Sequence, residues 1–163
     1  MKSYELKPTE KNLTKTFLDD SIERDIDIIR FAKILDAIND SCSIALDGGW
    51  GSGKTFFVKQ TKLLLDSFNE LVLTRKPEIK QKVVAKCKKQ TEPVTFQPQV
   101  CVYYDAWEND NDDDPVLSLV YSIVNTMNVD FKLNNNLKFP KIATFIMELF
   151  TGKDWNKLIS ILT

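Results

Sequence analysis

Apolar residues recur along this chain with two different periods. Ile28, Phe31, Leu35 and Ile38 return at the spacing of one helical face, up to Asn39. Ile22, Ile26 and Ile29 form a second stripe on the other side, so the spacing predicts a helix covered from two directions. Protein on both faces is favoured over a bound base on one, because such stripes are core as a rule. Asp20 and Glu23 form a capping box at its start. Ser43-Ile44-Ala45-Leu46 then predicts a short buried strand. In residues 56–68, Phe57, Leu64 and Phe68 share one helical face while Val58 and Leu65 share another. Val100-Cys101-Val102-Tyr103-Tyr104 is β-branched and aromatic, which predicts a second buried strand ending at Asp105. Asp114 as N-cap and Pro115 at the first helical position open a helix carried by Leu117, Val120, Val124 and Met127 to about Asn128. After the break at Asn134-Asn135-Asn136, residues 141–150 and 155–162 predict two further short helices.

The polar stretches set the organisation. Residues 1–19 are polar, carry Pro8 and show weak periodicity, so they read as an extended N-terminal arm before a single α/β domain at 20–163. Arg75, Lys76, Lys80, Lys82, Lys86, Lys88 and Lys89 are opposed only by Glu78, in an irregular stretch punctuated by Pro93 and Pro98. Only Val83 and Val84 interrupt that basic surface and no aromatic interleaves it, so a solvated face or insertion is favoured over a nucleic-acid surface. The acids between Asp105 and Asp114 read as a solvated turn in preference to a cation loop.

Composition removes several chemistries. With no histidine, the chain has no imidazole for acid/base work, for a Ser-His or Cys-His pair, or for metal ligation. Cys42, Cys87 and Cys101 are widely spaced and odd in number, which fits reduced cytosolic thiols and neither zinc nor a disulfide framework. A net charge of −1 gives no global pull toward nucleic acid or anionic lipid. No signal peptide is visible, and the apolar stretches at 142–150 and 158–162 fall short of the roughly 20 residues a spanning helix needs. The expected location is the cytoplasm, or the periphery of a membrane.

Between the first strand and the helix at 56–68 lies Gly48-Gly49-Trp50-Gly51-Ser52-Gly53-Lys54-Thr55, a complete G-x-x-x-x-G-K-[ST] phosphate-binding loop. Glycines let backbone N–H groups turn inward around an anion, and the helix aims its N-terminus at it. Lys54 neutralises phosphate charge and Thr55 supplies a hydroxyl to Mg²⁺. By spacing alone, the four apolar residues before Asp105 also look like a strand carrying a magnesium-site carboxylate, which makes Asp105 a second metal candidate.

The glycine-tryptophan-glycine loop, the strand ending Asp105-Ala106-Trp107, and the acidic loop with Asp114-Pro115 together resemble the KAP family of P-loop NTPases. Asp27, Arg30, Ala32 and Leu35 also resemble that family's N-terminal helix, so the similarity runs over roughly residues 20–127. The resemblance implies an ATPase with ATP and Mg as cofactors and a parallel sheet of the additional-strand type, flanked by helices. In it the strand bearing Ala106-Trp107 lies beside the true Walker B strand, and Asp105 is not the magnesium-polarising carboxylate. The family's Walker B comes later, as an apolar strand ending in paired aspartates, and nothing of that kind follows Asn128. The expectation is therefore either the N-terminal part of a longer ATPase or a degenerate member, with an incomplete core.

Two functions compete on these grounds. One is the nucleotide-binding part of an ATPase, in a phage-exclusion or signalling role. The other is a non-catalytic, nucleotide-dependent binding or scaffold module. The implied partners are a nucleoside triphosphate and the missing C-terminal half, a protein partner or a second copy. Hydrolysis by this chain alone is expected to be slow or absent. Trp107 is expected to be a packed anchor, and Trp50 to face the site or a partner.

Overall fold

Helix formation in the first part of the chain is driven by one segment that every neighbour covers. The structure, a computed structural model, describes residues 6–90, 94–109 and 115–131. The chain divides into two compact units, residues 1–101 and 102–163. The first holds α1 (Glu10–Asp19), α2 (Asp25–Ala37), α3 (Lys54–Phe68) and α4 (Pro77–Lys88).

Helix α3 is the axis of this unit and packs against α1, α2 and α4. Its straight-chain Lys, Gln and Leu residues favour the helix, and it ends where Asn69 N–H returns to the Asp66 carbonyl at 3.3 Å. Leu63, Leu64 and Leu65 are buried together with Gln60, Thr61, Asp66 and Ser67, so its C-terminal half is enclosed all round rather than on two faces. Most of the buried polar groups find partners, Gln60 Oε1 and Asp66 Oδ1 being exceptions. Gln60 Nε2 donates to the Leu13 carbonyl at 3.1 Å and to Thr16 Oγ1 at 2.9 Å. Asp66 Oδ2 accepts from Lys62 at 2.9 Å and from Arg75 at 3.0 Å, and Arg75 also pairs with Glu10 at 2.9 Å.

Several expectations are corrected here. The extended arm is instead, over Glu10–Asp19, the helix α1, with Thr9 as N-cap and Leu13 and Phe17 in the core. Its apolar face is a single i,i+4 pair completed by Thr16, whose hydroxyl is absorbed by the Asn12 carbonyl at 2.7 Å. The capping box at Asp20 does not start a helix. Asp20 and Glu23 adopt φ of 49° and 52° in a left-handed turn, and Asp20 Oδ1 accepts from the Asp25 N–H at 3.2 Å, serving α2 from five residues away. In α2, Ile28, Ile29 and Ala32 are buried while Ile26 is exposed, so the second stripe is only half covered.

The irregular basic stretch is largely the helix α4, begun by Pro77 and buried through Val83 and Cys87. Three of its cations turn inward. Arg75 holds Asp66, Lys80 donates to the Asn69 carbonyl at 2.7 Å, and Lys86 pairs with Asp25 at 2.8 Å while capping the Phe17 and Leu18 carbonyls at the end of α1. Lys80 and Lys86 thus close helix ends with their charges, while Lys76, Lys82, Lys88 and Lys89 are exposed, as the solvated-face reading expects.

No strand is present among the described residues. Residues 43–46, expected as a buried strand, are exposed, and Val100 at the start of the second expected strand is exposed as well. A strand has no hydrogen bonds of its own, and an apolar run becomes one only beside a ladder partner. The segment that follows α4 is nevertheless fixed. Val94 and Phe96 are buried, Phe96 meets the Phe68 ring edge-on at 5.0 Å, and Asp36 Oδ1 accepts from the Gln97 N–H and from Gln99 Nε2, both at 2.9 Å.

The second unit holds α5 (Pro115–Phe131), which begins at the expected proline and buries Val120 and Val124. Asp114, the break at 134–136 and the helices expected at 141–150 and 155–162 lie outside the described residues. Trp107 is 81% exposed and is no packed anchor. The cause is Asp105, whose Oδ1 accepts from the Trp107 N–H at 3.1 Å and turns residues 106–108 outward.

Candidate phosphate-binding site

The loop Gly48–Thr55 owes its shape to glycine at two positions. Gly51 and Gly53 have φ of 76° and 82°, which side chains other than glycine rarely adopt. Ser52 N–H closes the turn on the Gly49 carbonyl at 3.2 Å, and a Cβ at Gly48 would come 3.0 Å from Ser52 Oγ. Left-handed residues within such a turn direct successive N–H groups to one side, making an anion-binding concavity.

Helix α3 starts from this loop with Gly53 as N-cap and no side-chain capping bond. Its first hydrogen bond runs from Phe57 N–H to the Gly53 carbonyl at 2.9 Å, so the N–H groups of Lys54, Thr55 and Phe56 have no acceptor within the helix. The helix dipole adds partial positive charge at the same point. Lys54 Nζ folds back over the loop and donates to the carbonyls of Gly48 at 2.5 Å and Gly49 at 3.0 Å. Thr55 is exposed in the first helical turn, and Trp50 stands 95% exposed on the loop.

Two residues that sequence reasoning missed also touch the loop. Asp47 Oδ1 accepts from the Gly48 N–H at 2.7 Å, so with the Ser52 N–H closing the turn two of the loop's amides are already engaged. Arg24, at the N-cap of α2, donates from Nη1 to the Ser52 carbonyl at 2.9 Å. Asp47 has a local signal in its place directly before the glycines. Arg24 has none, since it precedes Ser52 by 28 residues.

Asp105 lies in the second unit and is engaged at both carboxylate oxygens. Oδ2 accepts from the Tyr103 hydroxyl at 3.0 Å, Oδ1 accepts from the Trp107 N–H, and Asn109 Nδ2 bonds the Asp105 carbonyl at 2.7 Å. Burial, the bond to Asp105 and the charges of Asp105 and Glu108 push the Tyr103 phenol up to about 12, which keeps it a donor at neutral pH. Among the described residues no three His, Cys, Asp or Glu side chains cluster to hold a metal, and no helix is long and apolar enough to cross a membrane.

No curated protein and no solved structure matches this chain. The profile of the KAP family P-loop domain does match, over residues 25–161, most of the sequence and all of the glycine loop. The chain belongs to the KAP family of P-loop NTPase domains, whose shared ligand class is a nucleotide.

Proposed function

We propose that this chain binds Mg²⁺-ATP, or another nucleoside triphosphate, through residues 48–55. The observation that carries the reading is the uncapped N-terminus of α3 behind two left-handed glycines, with the Lys54 ammonium already drawn onto the loop. Lys54 would exchange the Gly48 and Gly49 carbonyls for β- and γ-phosphate oxygens, and N–H groups between Gly49 and Thr55, other than that of Ser52 in its turn bond, would hold the remaining oxygens. Thr55 is the residue here that would hold magnesium, which would supply charge neutralisation to the phosphates. The proposed fold is a P-loop NTPase domain that takes in α1 as well, with residues 43–46 and 100–104 as strands of a parallel sheet once each has a ladder partner. Phage exclusion or signalling are the settings that the family resemblance supports.

The alternative of a nucleotide-dependent scaffold draws support from Asp105, whose carboxylate is occupied in its own turn. Titration of a fluorescent triphosphate against wild type and Lys54→Ala tests the binding reading, and equal affinity in two folded proteins would overturn it. Single-turnover and steady-state hydrolysis by the same protein separate the two functions. The scaffold reading expects turnover far below about 1 per second, whereas a turnover near that value would make Asp105 the leading candidate for a metal-site carboxylate.

A further inference from the structure

We propose that Arg24 is a positioning residue of the phosphate loop, setting the Ser52–Gly53 peptide so that the Gly53 N–H faces the anion; this rests on the nucleotide-binding reading above. Three observations carry it. The guanidinium Nη1 donates to the Ser52 carbonyl at 2.9 Å from the N-cap of α2, a separate element from the loop. A trans peptide is planar, with its C=O and N–H pointing in opposite directions, so holding the Ser52 oxygen on the α2 side aims the Gly53 N–H to the opposite side. A charge-assisted bond to that carbonyl also polarises the peptide and strengthens its N–H as a donor.

The absence of a side chain at position 53 fits the same arrangement. A Cβ on Gly53 would lie 3.3 Å from Arg24 Nη1, and φ there is 82°. Glycine at 53 therefore admits both the left-handed turn and the close approach of the guanidinium. The cations of the site thus divide their work. Lys54 bonds the carbonyls that begin the loop, and Arg24 bonds the carbonyl that ends it.

Arg24→Met removes the donors and the charge at similar length, and Arg24→Lys restores one donor with charge. The chain has five glycines, four of them in the loop, so glycine-selective heavy-nitrogen labelling gives a spectrum in which the Gly53 amide is readily assigned. In the nucleotide-free protein, Arg24→Met is expected to shift the Gly53 resonance more than those of Gly48, Gly49 and Gly51. It should weaken binding of Mg²⁺-ATP and of inorganic tripolyphosphate by the same factor, about tenfold, with Arg24→Lys recovering most of the loss. An unmoved Gly53 resonance overturns the proposal. So does a loss confined to ATP with tripolyphosphate unaffected, which would put the guanidinium on the nucleoside. If wild type and Lys54→Ala bind triphosphate equally, the nucleotide reading fails on its own, and the Gly53 resonance still decides whether Arg24 sets that peptide.

Discussion

The two flanks of the glycine loop differ in what each requires from the rest of the chain. On the C-terminal side, α3 makes its hydrogen bonds internally and is covered by helices from its own unit, with Leu64 at 0% exposure. On the N-terminal side, residues 41–50 are all exposed, although Ile44 and Leu46 are as apolar as anything in α3. A helix needs neighbours only to bury its side chains. A strand needs a neighbour for its backbone as well, so an equally apolar segment takes no regular form without a ladder partner.

The largest expected consequence of that difference is in stability. Leu64→Ala should destabilise the protein by about 2 to 5 kcal/mol in denaturant titration, whereas Ile44→Ala should cost less than about 1 kcal/mol. Equal losses would show that residues 43–46 are packed in solution and would break the comparison.

Thiol reactivity sharpens the same contrast. Cys42 is exposed on the strand-side flank, while Cys87 is fully buried in α4. Burial, aided by the Asp25 charge and only partly offset by the Lys86 charge, pushes the Cys87 thiol up to about 11, and burial does the same to Cys101. A rise from 9.0 to about 11 lowers the thiolate fraction about a hundredfold. An aromatic disulfide reagent should therefore label one thiol quickly and two slowly, with Cys42→Ser removing the fast phase. A fast phase that survives in Cys42→Ser would place a second thiol at the surface.

The smallest of the three effects concerns the helical flank alone. Burial raises the Asp25 pKa, but the hydrogen bond and charge of Lys86, with the Ile26 N–H and Asp20, outweigh it and hold the carboxyl below its ordinary 3.8. The sign follows from a depressed folded value. The stabilisation is fully present above 3.8 and is lost as pH falls through the lower folded pKa. Asp25→Asn should destabilise by about 1 to 3 kcal/mol at neutral pH, discounted from a fully buried pair, and lose less stability than wild type on acidification below 3.8. Parallel acid curves for the two proteins would show that the pair contributes nothing to the helical core.

What the sequence disclosed follows the same division. The glycine loop, α3 and the proline start of α5 carry local signals, in glycine spacing, helical period and a residue with fixed φ. Helices α1 and α4 each rest on one i,i+4 pair, Leu13 with Phe17 and Val83 with Cys87, set among polar and basic residues. Their remaining burial comes from Thr16 and from lysine stems, which a hydropathy pattern counts as solvent-facing. Trp107 departs from its expected burial because Asp105 redirects the chain by accepting its backbone N–H. Arg24 left no trace, since its relation to Ser52 exists only once α2 and α3 have packed.

The turn before Arg24 has a consequence for how this protein can change. Asp20 and Glu23 sit at positive φ, where a non-glycine residue costs about 1 to 2 kcal/mol and only the aspartate has a short side chain that eases it. Selection for a tougher protein would favour relaxing Glu23. A relaxed turn would also let the α2 N-cap wander, and with it the guanidinium seated on the phosphate loop. Durability and grip on the ligand are thereby set against each other within a few residues, so an ancestral or engineered gain in one is expected to surface as a loss in the other.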